Sequence, residues 1–239
     1  MRGFLYGAAL QWRLDIRSKT MLLTCYVVPL LFFAVMGGIF TAVMPEARRT
    51  LTQSMTVFAV SMGALIGLPP SLVEVYGGEI RRVYQVSGVP MWAGLALTNL
   101  SAFLHLFLMS GILYAAAPLV FGAAVPAGPW GYFGKLAVFI AVTLALASVV
   151  GLAAGEQARA TMLSMVVFLP SILLSGIMFP AEMLPEGFQV AGGLFPAAWG
   201  YRWMTGEVSA AGGLGPLLVI FLAAAGACGP LLARLRRRC

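Results

Sequence analysis

Charged side chains are scarce in this sequence. Asp, Glu, Lys and Arg make up only 10% of the 239 residues, whereas soluble domains carry about 25%. Together with a hydrophobic content of 61%, this scarcity excludes a soluble globular protein and predicts an integral membrane protein. The apolar runs are long and continuous rather than short and alternating, which favours membrane-spanning helices over a barrel.

The sequence also lacks a recognisable energy source. The nearest approach to a phosphate-binding loop begins at Gly128, one residue too far from Gly134-Lys135, and has Leu136 where Ser or Thr should bind magnesium. The acidic residues lie in or beside predicted loops, apart from Asp15 in an N-terminal helix. No carboxylate is therefore expected at mid-membrane to carry protons. If ATP drives this protein, another chain must hydrolyse it.

Residues for metal binding or covalent chemistry are few. The three cysteines have no metal-ligand spacing and are interpreted as packing residues. The single histidine, His105, lies inside a predicted span. An intramembrane hydrolase would need a serine within hydrogen-bond distance of it, and Ser61, Ser110 and Ser164 are candidates. There is no nucleophile-elbow pattern, and polar residues in spans often serve only as hydrogen-bond partners between helices. A structural or pore-lining role is favoured, with the enzyme as an alternative.

Six apolar runs are each long enough to cross a hydrocarbon core of about 30 Å. The predicted spans are residues 21–43, 51–73, 92–120, 135–155, 160–179 and 214–233. An amphipathic helix over residues 4–18 is expected to lie on the membrane surface before them. The sequence thus predicts one all-α membrane domain over residues 1–239. It comprises an interfacial helix in residues 1–20, a six-span bundle in 21–233 and a basic tail in 234–239.

The basic residues predict the orientation of this bundle. Eleven of the fifteen Lys and Arg residues lie on the side that holds both chain ends, and four lie opposite. The positive-inside rule therefore places both termini and the segment 72–90 in the cytoplasm. The segment 180–213 then faces outside, where two short helices are expected. The excess positive charge indicates membrane orientation rather than a nucleic-acid partner.

The segment 72–90 is a charged island between two long apolar runs. Each of its charges would cost about 2.5–3.5 kcal/mol at a bilayer centre, so the segment must lie in water. It still has a helical apolar stripe through Ile80, Val83 and Tyr84, opposite Glu79, Arg81 and Arg82. This pattern fits a short helix that docks to a partner. An ordinary amphipathic loop at the membrane surface remains the alternative.

The second and fifth spans each combine serines with proline. They are the middle spans of two three-helix halves, and paired breaks in corresponding positions indicate a substrate route between the halves. The candidate route-lining residues are Ser54, Ser61, Ser164 and Ser171. Serines that are satisfied within the bundle are the alternative for each of them.

Two stretches of the chain resemble the permeases of type-2 ABC exporters. The first contains Glu74, Gly77-Gly78-Glu79-Ile80-Arg81-Arg82-Val83 and Ser87-Gly88-Val89-Pro90. The second runs from Leu173-Leu174-Ser175-Gly176 to Phe179-Pro180-Ala181-Glu182 and Pro185, and is followed by Phe195-Pro196 and Tyr201. The order of elements is similar over nearly the whole chain. In one departure, Val75 and Tyr76 stand where the family often has further charges.

The resemblance implies a fold with a cytoplasmic coupling helix between spans 2 and 3 and an outer re-entrant hairpin between spans 5 and 6. The residues expected to couple to the ATPase are Glu74, Gly78, Glu79, Ile80, Arg81, Arg82, Val83 and Tyr84. Those expected to shape the outer hairpin are Pro180, Glu182, Pro185, Pro196 and Tyr201. The N-terminal helix would be the connecting helix along the inner leaflet.

The resemblance also implies partners and a function. Two permeases, identical or homologous, would sit above two cytosolic ABC ATPase subunits, which bind the ATP and magnesium, while this chain binds no cofactor and no nucleic acid. The assembly would be an exporter in the cytoplasmic membrane. Apolar spans rich in Met, Phe and Ser suit an amphiphilic, drug-like or lipid-like substrate, and the spans of a peptide or glycan carrier would look much the same. A self-contained carrier or channel is the first alternative, and an intramembrane enzyme that uses His105 is the second.

Overall fold

The structure is a computed structural model that describes residues 2–77, 86, 90–126, 128–179 and 181–237. Within these ranges every regular element is helical. The main helices are α1 (Arg2–Arg17), α2 (Leu23–Val43), α3 (Leu51–Gly77), α4 (Met91–Phe121), α5 (Pro129–Ala154), α6 (Gln157–Leu173), α7 (Glu186–Gly192), α8 (Pro196–Thr205) and α9 (Ala210–Arg237). A helical turn at Lys19–Leu22 leads into α2, and 3-10 turns occur at Pro45–Arg49 and Ala181–Met183.

Five of the described helices are long and apolar enough to cross a membrane: α2, α3, α4, α5 and α9. These correspond to five of the six predicted spans. The remaining predicted span is represented by α6, an apolar helix of 17 residues. The predicted bounds differ most at two places. The helix of the fourth span begins at Pro129, where a loop was expected, and α6 ends at Leu173 rather than at residue 179.

A local turn explains why α6 ends early. The hydroxyl of Ser175 donates to the carbonyl of Ile172 at 2.7 Å and accepts from the backbone N–H of Ile177 at 3.2 Å. Gly176 then adopts a φ of +85°, a conformation that glycine reaches without steric cost. Hydropathy alone did not reveal this turn, because the residues around it are as apolar as the helix.

Helices α3 and α5 form the centre of the bundle. In the most apolar 18 residues of α3, 72% are buried, against 17% for α9. Helix α5 packs against α3, α4, α6, α8 and α9. The outer helices α2 and α9 therefore present most of their apolar side chains to the surroundings, as expected for helices in contact with lipid.

Prolines do not end α3. Pro69 and Pro70 each lack a backbone donor, which favours a kink or a stop, but the helix continues to Gly77. A π-helical turn at Gly63–Gly67 lies immediately before the prolines. Such a turn shifts the hydrogen-bond register, which accommodates residues that lack a donor.

Gly63 and Gly67, four residues apart on α3, permit close helix contacts. A side-chain carbon added at Gly63 would overlap Leu106 of α4. One added at Gly67 would lie 3.2 Å from the hydroxyl of Thr24, in α2. The motif therefore places α3 against two neighbouring helices at once.

Both chain ends lie at one end of the bundle. The hydroxyl of Tyr76 donates to the carbonyl of Met91 at 2.6 Å, which joins the end of α3 to the start of α4. Gly77, Gly155 and Leu235 line one small cavity at this same end. Helix α1 packs against the first half of α4. We call this the basic end, because the arginines that conclude α9 lie here.

Candidate functional site

Helices α3 and α6 form an antiparallel pair. At the basic end, the Gln157 side-chain amide donates to the Glu74 carboxylate at 2.6 Å. Halfway along, the rings of Phe58 and Phe168 lie 5.9 Å apart. At the opposite end, both helices reach one cavity, through Ser54 of α3 and through Ser175, just after α6. The two predicted serine faces thus belong to helices that touch along their length.

By helical spacing, the four predicted route serines lie on the same faces of α3 and α6 as the rings of Phe58 and Phe168. Ser54 and Ser61 lie one turn on either side of Phe58, and Ser171 and Ser164 lie one turn on either side of Phe168. All four side chains are buried, with 4% or less of their surface exposed.

Three of these hydroxyls have no hydrogen-bond partner among the described residues: those of Ser61, Ser164 and Ser171. The Ser54 hydroxyl donates to the carbonyl of Leu51 at 3.1 Å. The side-chain oxygen of Gln53, on the same helix, is also without a partner in the described part of the chain. An unsatisfied buried polar group costs about 1–3 kcal/mol. Helices α3 and α6 therefore carry buried hydrogen-bonding groups that have no described partner in this conformation.

A cavity of about 330 Å³ lies at the end of α3 and α6 that is opposite the basic end. We call it the outer cavity, after the predicted orientation. Ser54 and Thr50 line it from α3 and the residue before it, and Tyr201 and Glu207 line it from α8 and the turn beyond. Burial raises the pKa of the Tyr201 phenol above its ordinary value, and a hydrogen bond with Thr50 opposes that rise. The phenol therefore remains neutral at physiological pH and can serve as a hydrogen-bonding group in the cavity wall.

His105 belongs to a separate cluster that joins α1, α2 and α4. Its Nδ1 lies 2.8 Å from the Tyr26 hydroxyl, and the indole of Trp12 stacks on its ring at a centroid distance of 4.0 Å. Nearby, the Asp15 carboxylate accepts hydrogen bonds from Ser101 and from the side-chain amide of Gln11. These contacts hold α1 against α4.

No serine pairs with His105 in the described part of the chain. Of the candidates for a serine–histidine pair, Ser110 donates instead to the carbonyl of Leu106, and Ser61 and Ser164 are among the hydroxyls without a partner. The described geometry thus lacks the hydrogen bond that nucleophilic catalysis would require.

A comparison with protein families decides the class of the protein. The model of the ABC-2 type transporter family matches residues 4–207. The chain belongs to the ABC-2 type transporter family. It is therefore a multi-pass transmembrane protein of an ABC transporter, which confirms the resemblance that the two sequence motifs indicated. No curated protein matches the chain.

Family membership gives the chain its general role. The ABC-2 membrane domain is a permease subunit that is not itself catalytic. Members of the family lie in a lipid bilayer and partner with ABC ATPase subunits. Among the predicted coupling residues, the structure describes Glu74, which is exposed on the last turn of α3. Gly78, Glu79, Ile80, Arg81, Arg82, Val83 and Tyr84 lie outside the described residues, so their coupling role stays a prediction.

Two of the five residues predicted to shape the outer hairpin of this ABC-2 type permease line the outer cavity. Tyr201 and the exposed Glu182 both line the cavity. Pro185 precedes the first residue of α7, and Pro196 is the buried first residue of α8, where a missing N–H is tolerated. Pro180 lies outside the described residues. The re-entrant path itself remains a prediction.

Two contacts between helices were not predicted from the sequence. The first is the Glu74–Gln157 hydrogen bond, which links residues 83 positions apart in the chain. The second is the contact of Asp15 with Ser101, where α1 meets α4. The sequence signal for the Glu74–Gln157 bond was a polar residue at the end of one span and another at the start of a second span. The second depends on how α1 lies against the bundle, which composition does not specify.

Proposed function

We propose that the chain is the permease subunit of an ATP-driven exporter that moves an amphiphilic, drug-like or lipid-like substrate outward across the cytoplasmic membrane. Membership of the ABC-2 type transporter family supports the transport role. The observation that carries the proposed route is the buried α3–α6 interface. Three buried hydroxyls of these helices have no partner in the described part of the chain, and Ser54 lines the outer cavity, which suits a passage that is closed in this conformation.

The proposed mechanism uses two arrangements of α3 and α6. ATP-driven closure of the cytosolic subunits would move a coupling helix at residues 78–84, and α3 would move with it. The Glu74–Gln157 hydrogen bond would pass the motion to α6 at its first residue. When the helices separate, the serine hydroxyls can bond to water or to polar groups of the substrate. That gain offsets part of the cost of opening.

The proposed architecture follows the orientation that the basic residues predict. Both termini and the coupling helix face the cytoplasm, α6 serves as the fifth of six crossings, and α7 and α8 form a re-entrant hairpin on the outer side. Two permeases, identical or homologous, pair above two ATPase subunits. The location of both chain ends at one end of the bundle supports this arrangement.

The coupling helix provides the test. Replacing Ile80 and Val83 by Asp puts two charges on the apolar stripe that would dock in the ATPase. We expect the variant to lose co-purification with the ATPase and to lose substrate-stimulated ATP hydrolysis. A matched control is Val190→Asp, at an exposed valine of α7, which should leave both unchanged. If Ile80→Asp/Val83→Asp retains both properties, the docking proposal fails.

A further inference from the structure

A long apolar groove lies on the outer surface of the bundle, between α4, α5 and α9. Its volume is about 620 Å³, within the range of small-molecule sites. On α4 it extends from Trp92 to Phe103, and on α9 it extends from Leu232 back to Phe221. Each of these stretches is about 16 Å long at a rise of 1.5 Å per residue. The groove is therefore about half as long as a hydrocarbon core of about 30 Å, which is the depth of one leaflet.

The interior of the groove suits a hydrocarbon chain. Its two polar residues, Asn99 and Ser148, bond to each other: the Asn99 amide donates to the Ser148 hydroxyl at 3.0 Å. The same amide donates to the carbonyl of Leu95, and the Ser148 hydroxyl donates to the carbonyl of Leu144. Because Asn99 and Ser148 already form hydrogen bonds within the protein, the groove does not require a polar group on its ligand.

Helix α9 continues past one mouth of the groove with a basic sequence. Past Leu232, the last four residues of α9 are Arg234, Leu235, Arg236 and Arg237. Trp92, at the start of α4, lies at the same end and is 59% exposed, as is usual for tryptophan at a membrane interface. A basic segment beside the membrane attracts anionic lipid headgroups. The apolar groove, about one leaflet deep, thus ends where the sequence of α9 becomes basic.

We propose that this groove binds one acyl chain of an anionic phospholipid from the leaflet at the basic end, with the lipid phosphate next to the arginines of α9. A transmembrane helix of a second copy would need a groove along the full membrane thickness, whereas this one covers a single leaflet. The proposal requires only that α4, α5 and α9 cross the bilayer. It is independent of the exported substrate.

Two glycines of α9 give a matched pair of variants. Gly229 lines the groove, and a side-chain carbon added there meets no heavy atom within 4 Å. Gly226 is equally exposed on the same helix, and an added carbon there also meets open space, but it does not line the groove. Gly229→Phe should therefore fill the groove without disturbing the protein, and Gly226→Phe should leave it empty.

The test is lipid binding by the full-length chain in detergent, measured by native mass spectrometry. The probes are phosphatidylglycerol and phosphatidylcholine with identical acyl chains. We expect one phosphatidylglycerol to bind about tenfold more tightly than phosphatidylcholine, and Gly229→Phe to weaken that binding about tenfold. Gly226→Phe should bind like the unmodified chain. Arg236→Gln with Arg237→Gln should remove the preference between the lipids while the acyl chain still binds.

Three results would overturn the proposal. Equal lipid affinity in Gly229→Phe and Gly226→Phe would show that the groove is not the site. Equal affinity of the unmodified chain for the two lipids would refute the anionic headgroup. A lower oligomer mass in Gly229→Phe, with lipid binding intact, would show that the groove is an interface between copies.

Discussion

Removing two buried serine hydroxyls from α3 and α6 is expected to change stability and function in opposite directions. In the double variant Ser61→Ala/Ser164→Ala, two buried hydroxyls without described partners are removed. Each such hydroxyl costs about 1–3 kcal/mol, so the resting conformation should gain about 2 kcal/mol or more. For a chain of this size that gain raises the unfolding temperature by about 4–8 °C. The open route, in contrast, loses two hydrogen-bonding groups.

Two measurements on the complex with its ATPase check this prediction. Thermal unfolding in detergent should occur at a higher temperature, and the stimulation of ATP hydrolysis by an amphiphilic dye such as a rhodamine should fall. Ser110→Ala is the control, because the Ser110 hydroxyl is equally buried but donates to the carbonyl of Leu106 at 2.7 Å. It should lose about 1 kcal/mol of stability and keep normal stimulation. A double variant that is destabilised, or that responds normally to the dye, would refute the reasoning.

Three further substitutions test other parts of the structure. His105→Ala removes a hydrogen bond and a ring stack, so we expect the free energy of unfolding to fall by about 1–3 kcal/mol while transport is preserved. If the variant assembly stays intact but no longer turns over a cleavable substrate, the enzyme alternative is supported instead. Gly63→Leu forces α3 away from Leu106 and should destabilise the chain by about 1–3 kcal/mol or more, and an unchanged unfolding temperature would contradict the packing. Tyr201→Phe removes the bond to Thr50 and should cost about 1 kcal/mol, whereas a larger loss would mean that the phenol has further partners.

Much of the fold could be predicted because lipid leaves few choices for the backbone. Each long apolar run must satisfy its own backbone hydrogen bonds, so the lengths of the runs predicted five of the membrane helices. The prediction was wrong where the chain stops being helical without becoming polar. Helix α6 ends at Leu173 because Ser175 and Gly176 form a turn, and hydropathy does not distinguish that turn from a continued helix.

The candidate site was predictable where it depends on spacing along one helix. Serines at helical intervals on two spans predicted a shared polar face, and all four side chains are buried in the structure. Contacts between distant residues were not predictable in the same way. The cluster of Trp12, Tyr26 and His105 joins three helices, and no local pattern in the sequence specifies which ring stacks on the imidazole.

Transport by reconstituted vesicles tests the central claim most directly. Vesicles that hold the permease together with its ATPase should accumulate an amphiphilic dye against a gradient only when ATP is supplied on the ATPase side. Vesicles that hold this chain alone should only equilibrate the dye. Uphill accumulation by the chain alone would contradict the account, because it would show that the permease contains its own energy source.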